Sequence, residues 1–216
     1  GPPPAIARTA FRIAACLALA GCAGTATRGE WIPLIEGASG LDNWTRVGDD
    51  NWRPENGAIV ADRGTIGFLV SKDSFRDVEV RAEFRAEADT NSGVFLRVAD
   101  PARITPESTY EVNIWDLRPD PKYGTGAIVD VAAVPVPNPH SAGGRWNTLE
   151  ISARGKRLTV RLNGVVTADV EDGRLHEGPI ALQYGPGVNG AAGGPIRWRE
   201  VLVRPLPAAG RALPES

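Results

Sequence analysis

From Val78 to Ala86 the chain alternates without a break. Val78, Val80, Ala82, Phe84 and Ala86 are apolar, and Glu79, Arg81, Glu83 and Arg85 between them are charged. Side chains of a strand point alternately to opposite faces, so this segment can bury one face and wet the other only as a β-strand. Shorter runs of the same kind recur over 31–34, 58–61, 67–70, 93–98, 110–116, 127–131, 148–153, 158–162, 165–170, 180–184 and 196–204. Gly, Pro, Asn and Asp separate them, and helical periodicity is nearly absent. The pattern predicts an all-β sandwich of two antiparallel sheets. Asn163-Gly164 between Leu162 and Val165 supplies the positive φ angles of a two-residue hairpin turn. The two longest stretches without strand character, 117–125 and 135–145, are rich in Pro and Gly, and long loops in a compact domain often carry function.

The N-terminus reads as an export signal. Arg8 and Arg12 precede an apolar run over 13–20, too short for the roughly 20 residues of a membrane span. Leu19-Ala20-Gly21-Cys22 has the form of a lipobox, in which Cys22 takes a thioether-linked lipid and becomes the mature N-terminus. The expected organisation is a signal over 1–22, a linker over 23–30, one domain over 31–206 and a frayed tail over 207–216. The lipid would hold the domain at a membrane surface, and Ala23 after the cysteine favours the outer membrane of a Gram-negative cell. Cys16 and Cys22 are the only cysteines, so the domain has no disulfide and no thiol chemistry. A net charge of −2 offers no electrostatic case for nucleic acid.

Candidate chemistry lies on the polar faces of three strands. Beside the Glu79 to Arg85 face stand Phe95 and Arg97, and then Glu111, Asn113 and Trp115 opposite Val112 and Ile114. If the three strands are neighbours, one sheet face displays carboxylate, guanidinium, amide and indole groups together. Such a face is either plain solvent surface or a groove for a sugar, whose ring stacks on aromatic plates and whose hydroxyls bond to planar polar groups.

The order of these segments resembles the 3-keto-disaccharide hydrolase family, a concanavalin A-like jelly roll, over essentially the whole domain. The resemblance rests on Leu34-Ile35-Glu36-Gly37 with Gly40-Leu41-Asp42-Asn43-Trp44, and on Trp52 with Asn56-Gly57. Further carriers are Asp77 to Arg85, Asn91-Ser92-Gly93-Val94-Phe95-Leu96-Arg97 and Tyr110-Glu111-Val112-Asn113-Ile114-Trp115-Asp116. Thr125-Gly126-Ala127-Ile128, Trp146-Asn147, Leu162 to Val165 and Gly178-Pro179-Ile180-Ala181-Leu182-Gln183 complete the series. Three positions depart from the family pattern. Asn113 stands for a usual Gln, Val129 for a frequent Tyr, and Glu200 for a usual Asn.

The resemblance implies cleavage of 3-keto-glycosides. A ketone at C3 makes the C2 proton acidic, a base removes it, the C1 substituent leaves by β-elimination, and hydration completes a net hydrolysis. Such a site requires one base and an electropositive place for the enolate oxygen. Glu111 is the first choice for the base or for a metal-linked carboxylate, against a surface glutamate paired with Arg. Glu83 is the second, against an ion pair with Arg85 or Arg97. Arg97 would hold the enolate or a hydroxyl with its fixed fork of donors, against structural pairing. Arg85, Asn91, Asn113, Trp115, Asp116, Gln183 and His140 are candidates for binding sugar, with Asn91 read first as shaping the turn before Gly93. No dense metal-ligand cluster is visible, and no cofactor is implied, although a divalent metal assembled from distant strands is compatible with the sequence. The competing class is a non-catalytic cell-surface carbohydrate-binding module, since fold alone does not set function.

Overall fold

Thirteen strands run through residues 29–207, the part of the chain described by the computed structural model. The expected signal, the expected lipobox with Cys22, and most of the expected tail lie outside the described residues. The larger sheet has eight strands. They are β1 (Ile32–Glu36), β3 (Arg53–Glu55), β4 (Ala58–Ala61), β6 (Val78–Ala86), β9 (Arg145–Arg154), β10 (Arg157–Leu162), β11 (Val165–Glu171) and β13 (Ile196–Pro205). Their order is β11-β10-β9-β6-β13-β4-β3, with β1 pairing the part of β13 that β4 leaves free. The smaller sheet has five strands: β2 (Trp44–Gly48), β5 (Gly67–Phe75), β7 (Ser92–Leu96), β8 (Tyr110–Ile114) and β12 (Gly178–Tyr184). Their order is β2-β5-β12-β7-β8, and the pairings in both sheets are antiparallel. This is the expected jelly-roll sandwich.

The alternation of β6 is realised in full. Its apolar residues are buried, and its charged residues are partly exposed. Across the core they meet Val94, Leu96, Val112, Ile114, Ile180 and Leu182 from the smaller sheet. Each large aliphatic side chain buried this way contributes roughly 1.5–3 kcal/mol. The Asn163-Gly164 turn has φ values of 50° and 82°, and it joins Leu162 to Val165 in register.

Two strands, β2 and β3, escape the sequence pattern because each is a short edge strand with few apolar residues. The expected strand at 127–131 is instead a brief edge pairing. Asn113 N donates to Ala127 O and Val129 N to Glu111 O, after which the chain turns back from Ile128 to Ala132.

The smaller sheet also buries part of its outer face. Phe68, Val70, Phe95, Val98 and Ala181 form a second cluster there, with Val47 and with Ile104 from the loop between β7 and β8. This loop and the long connection from β8 to β9 flank the outer face.

Candidate functional site

The three polar faces do not meet. β6 belongs to the larger sheet, whereas β7 and β8 belong to the smaller one. All three turn their apolar sides to the same core, so their polar sides point away from each other. Glu83 is therefore not beside Glu111. It pairs with Arg199 at 2.6 Å and Arg81 at 3.7 Å on the outer face of the larger sheet. Arg85 is there too, paired with Glu87 at 3.5 Å. Glu200 joins this network through Arg81 at 3.3 Å, so one of the three departures lies across the molecule from the other two.

Arg97 leaves the polar face for a different reason. Its φ of 53° breaks the strand, and its side chain runs into the protein, 2% exposed. Nε donates to Arg76 O at 3.1 Å, and Nη1 donates to Gly155 O at 2.7 Å and Leu175 O at 3.1 Å. Nη2 pairs with Asp77 at 3.2 Å. The guanidinium is a strut between three loops, with no fork left for a sugar.

The smaller sheet does gather the remaining candidates. In the β7–β8 ladder Gly93 faces Asn113 and Phe95 faces Glu111. Ala181 of β12 faces Phe95, so continuing that register sets Gln183 across from Gly93, and Gln183 in turn faces Phe68 of β5. One row on the outer face thus reads Phe68, Gln183, Gly93, Asn113. The next reads Val70, Ala181, Phe95, Glu111.

Glu111 is partly buried, and its carboxylate makes no hydrogen bond or ion pair among the described residues. Burial pushes its pKa up to about 7, with Arg118 pulling it down and Asp130 adding to the rise. Val129 is its neighbour across the edge pairing, N donating to Glu111 O at 3.0 Å, and is 2% exposed. Asn113 donates Nδ2 to Tyr123 O at 2.8 Å, while its Oδ1 is buried without a partner. Gln183 Oε1 is likewise buried and unpartnered. Asn91 donates to Pro186 O at 2.8 Å, and a Cβ on Gly185 would come within 2.8 Å of its amide nitrogen and 3.4 Å of Gln183 Cδ. Asn91 thus shapes the loop next to Gln183.

Trp115 follows β8, half-buried, with Nε1 unpartnered and the Arg118 guanidinium 5.9 Å from its ring centre. Asp116 ties the flanking loops together: it accepts from Thr125 Oγ1 at 2.6 Å, Ala142 N at 3.0 Å and Gly143 N at 2.9 Å. It is a positioning residue for those loops. His140 sits in the same loop system, its backbone N bonded to Asn138 Oδ1. Sequence reasoning missed Arg118 and Asp130. Each is a charged residue in an irregular stretch, and only the fold brings it to Glu111. Among the described residues no three of His, Cys, Asp and Glu gather to hold a metal ion.

Comparison with known proteins agrees with this architecture. Two crystal structures from Parabacteroides distasonis, each named "putative glycosyl hydrolase", share the fold. The first has a TM-score of 0.64 at 20% identity, covering 82% of this chain and 100% of that one. The second has 0.65 at 17%, covering 82% and 94%. The carbohydrate-binding module CBM66 from Bacillus subtilis matches with a TM-score of 0.54 at 16% identity, over 74% of this chain and 93% of its own. Among curated proteins no relative matches. The family model described as the 3-keto-alpha-glucoside-1,2-lyase-like domain matches residues 30–204, and the chain belongs to that family.

Proposed function

We propose that this domain cleaves glycosides already oxidised at C3, with Glu111 as the base. The observation that carries the reading is the Glu111 carboxylate: partly buried, without a hydrogen-bond partner, and poised at about 7. A base works best when its pKa lies near the working pH, because it is then both ionised and basic enough to take a proton. Glu111 takes the proton from C2, and the electron pair becomes the enolate of the C3 ketone. Arg118 supplies positive charge near the developing oxyanion. Collapse of the enolate forms a C1=C2 double bond and expels the C1 oxygen, which takes the proton held by Glu111 and leaves as an alcohol. Water then adds across that double bond, its hydroxyl to C1 and a proton to C2, and the net change is hydrolysis.

Family membership supports this chemistry, which needs one base, whereas ordinary glycosidase chemistry sets two carboxyl groups around the bond. We further propose that the domain works at a membrane surface, held through Cys22. The test is direct. The purified domain should release monosaccharide from a 3-keto-disaccharide and leave the unoxidised disaccharide intact. Glu111→Gln should lower the rate roughly 100- to 10,000-fold. Binding of both sugars without any turnover would instead mark a carbohydrate-binding module.

A further inference from the structure

The groups around Glu111 that lack partners are of two kinds, at different places. Two are acceptors, Asn113 Oδ1 and Gln183 Oε1, both buried. The Asn113 amide is not free to turn over, because its nitrogen is committed to Tyr123 O. The two acceptors share a row with Gly93 between them. A Cβ at Gly93 would come within 2.8 Å of Val112 O and 3.3 Å of the Phe95 ring, so nothing larger than glycine fits there. The other two are donors. Trp115 Nε1 is buried and unpartnered, and the Arg118 guanidinium over that indole makes no hydrogen bond or ion pair among the described residues. Arg118 is also the cation acting on Glu111.

A buried acceptor without a donor costs about 1–3 kcal/mol of stability. A hydroxyl can satisfy it, but a ketone oxygen cannot, since it has no hydrogen to give. An enolate oxygen needs the reverse, a donor or a cation. From this we infer that the site is polarised and accepts a 3-keto sugar in one orientation. Asn113 and Gln183 accept from ring hydroxyls, and Arg118 with the Trp115 indole holds the oxygen on C3. Hydroxyl specificity therefore resides in β8 and β12, and recognition of the oxidised carbon in the loop after β8. The donor end rests on the proposed 3-keto chemistry, whereas the acceptor end requires only a hydroxylated ring.

Binding measured by titration calorimetry separates these statements, with Glu111→Gln present in every protein to prevent turnover. The probes are a methyl 3-keto-glucoside, its 4-deoxy and 6-deoxy analogues, and the unoxidised methyl glucoside. Gln183→Leu should weaken binding of the 3-keto-glucoside about tenfold or more, the worth of one good hydrogen bond. The loss should vanish for the one deoxy analogue that lacks the matching hydroxyl, and Gln183→Glu should recover part of it. The melting temperature of Gln183→Leu should equal or exceed that of the parent, because an unsatisfied buried oxygen has been removed. Arg118→Met should weaken the 3-keto sugar about tenfold and the unoxidised one by less than twofold. Equal losses for hydroxylated and deoxy sugars, or a lowered melting temperature with binding retained, would overturn the acceptor assignment. Equal losses for oxidised and unoxidised sugars in Arg118→Met would overturn the donor assignment. Failure of the wild-type domain to turn over any 3-keto-glycoside would overturn elimination alone and leave the acceptor comparison standing.

Discussion

Glu111 lies directly across the β7–β8 ladder from Phe95, so the carboxylate of this face shares its row with a ring that is 2% exposed. That neighbour is part of why the charge is costly here. Burial raises the carboxyl to about 7, and in its proposed role as base it acts only when ionised. The rate on a 3-keto-glycoside, as kcat/KM, should therefore climb with pH and level off above about 7. Arg118→Met removes the one influence that lowers this pKa and should move the inflection upward. A rate profile flat from about pH 5 to about pH 8 would remove Glu111 from the proton transfer.

Asp50 is a second buried carboxylate, remote from Glu111. It is 9% exposed, neither oxygen has a partner, and it fills a niche that only glycines leave open. A Cβ on Gly64 or Gly67 would come within 2.3 or 2.4 Å of its oxygens. Burial, with the adjacent Asp49 charge, raises it to about 7. The folded protein thus keeps a proton that the unfolded chain releases near pH 4. The stability tied to that proton is full below about pH 4 and is lost as pH rises to about 7, roughly 4 kcal/mol in all. Asp50→Asn should flatten this slope, read as urea midpoints across the range. Parallel slopes for parent and variant would refute the assignment.

Arg97 and Asp77 make the opposite case, a charged pair that holds the fold. Truncating one partner of a buried pair costs about 3–5 kcal/mol, and Arg97→Met also strips donors from three carbonyls. Urea denaturation should show a loss of at least that size. Activity per folded molecule should stay near the parent value, because the side chain is inside the protein and away from the Glu111 face. A stable variant with lost activity would return Arg97 to the site.

The lipidation proposed at Cys22 depends on sulfur. Cys22→Ser should yield a protein without the acyl mass, recovered in the soluble fraction. Mass spectrometry finding the same acylated N-terminus in the variant would refute the lipobox reading.

Much of the fold was legible because period-two alternation is a local property. Each of Val78, Val80, Ala82, Phe84 and Ala86 declares its face by its immediate neighbours, as do Val112 and Ile114, and the structure buries them all. The Asn163-Gly164 turn is equally local. Alternation does not say which strands are neighbours, since pairing is decided between residues far apart in the chain. Hence β6 was free to be imagined beside β7 and β8, although it lies across the core from them. The consequence for the site is specific. Glu111, Asn113 and Gln183 carried their signal in strand and motif, and the fold kept them together. Glu83 and Arg85 carried the same signal and went to the opposite surface. Arg97 broke the alternation through a positive φ that no neighbour in sequence announces. Arg118 came to Glu111 from an irregular loop. The chain by itself determined, strand by strand, which side chains turn to the shared core. Only the packing of one sheet on the other decided which polar groups share a face, because two sheets that bury their apolar sides against each other must turn their polar sides apart.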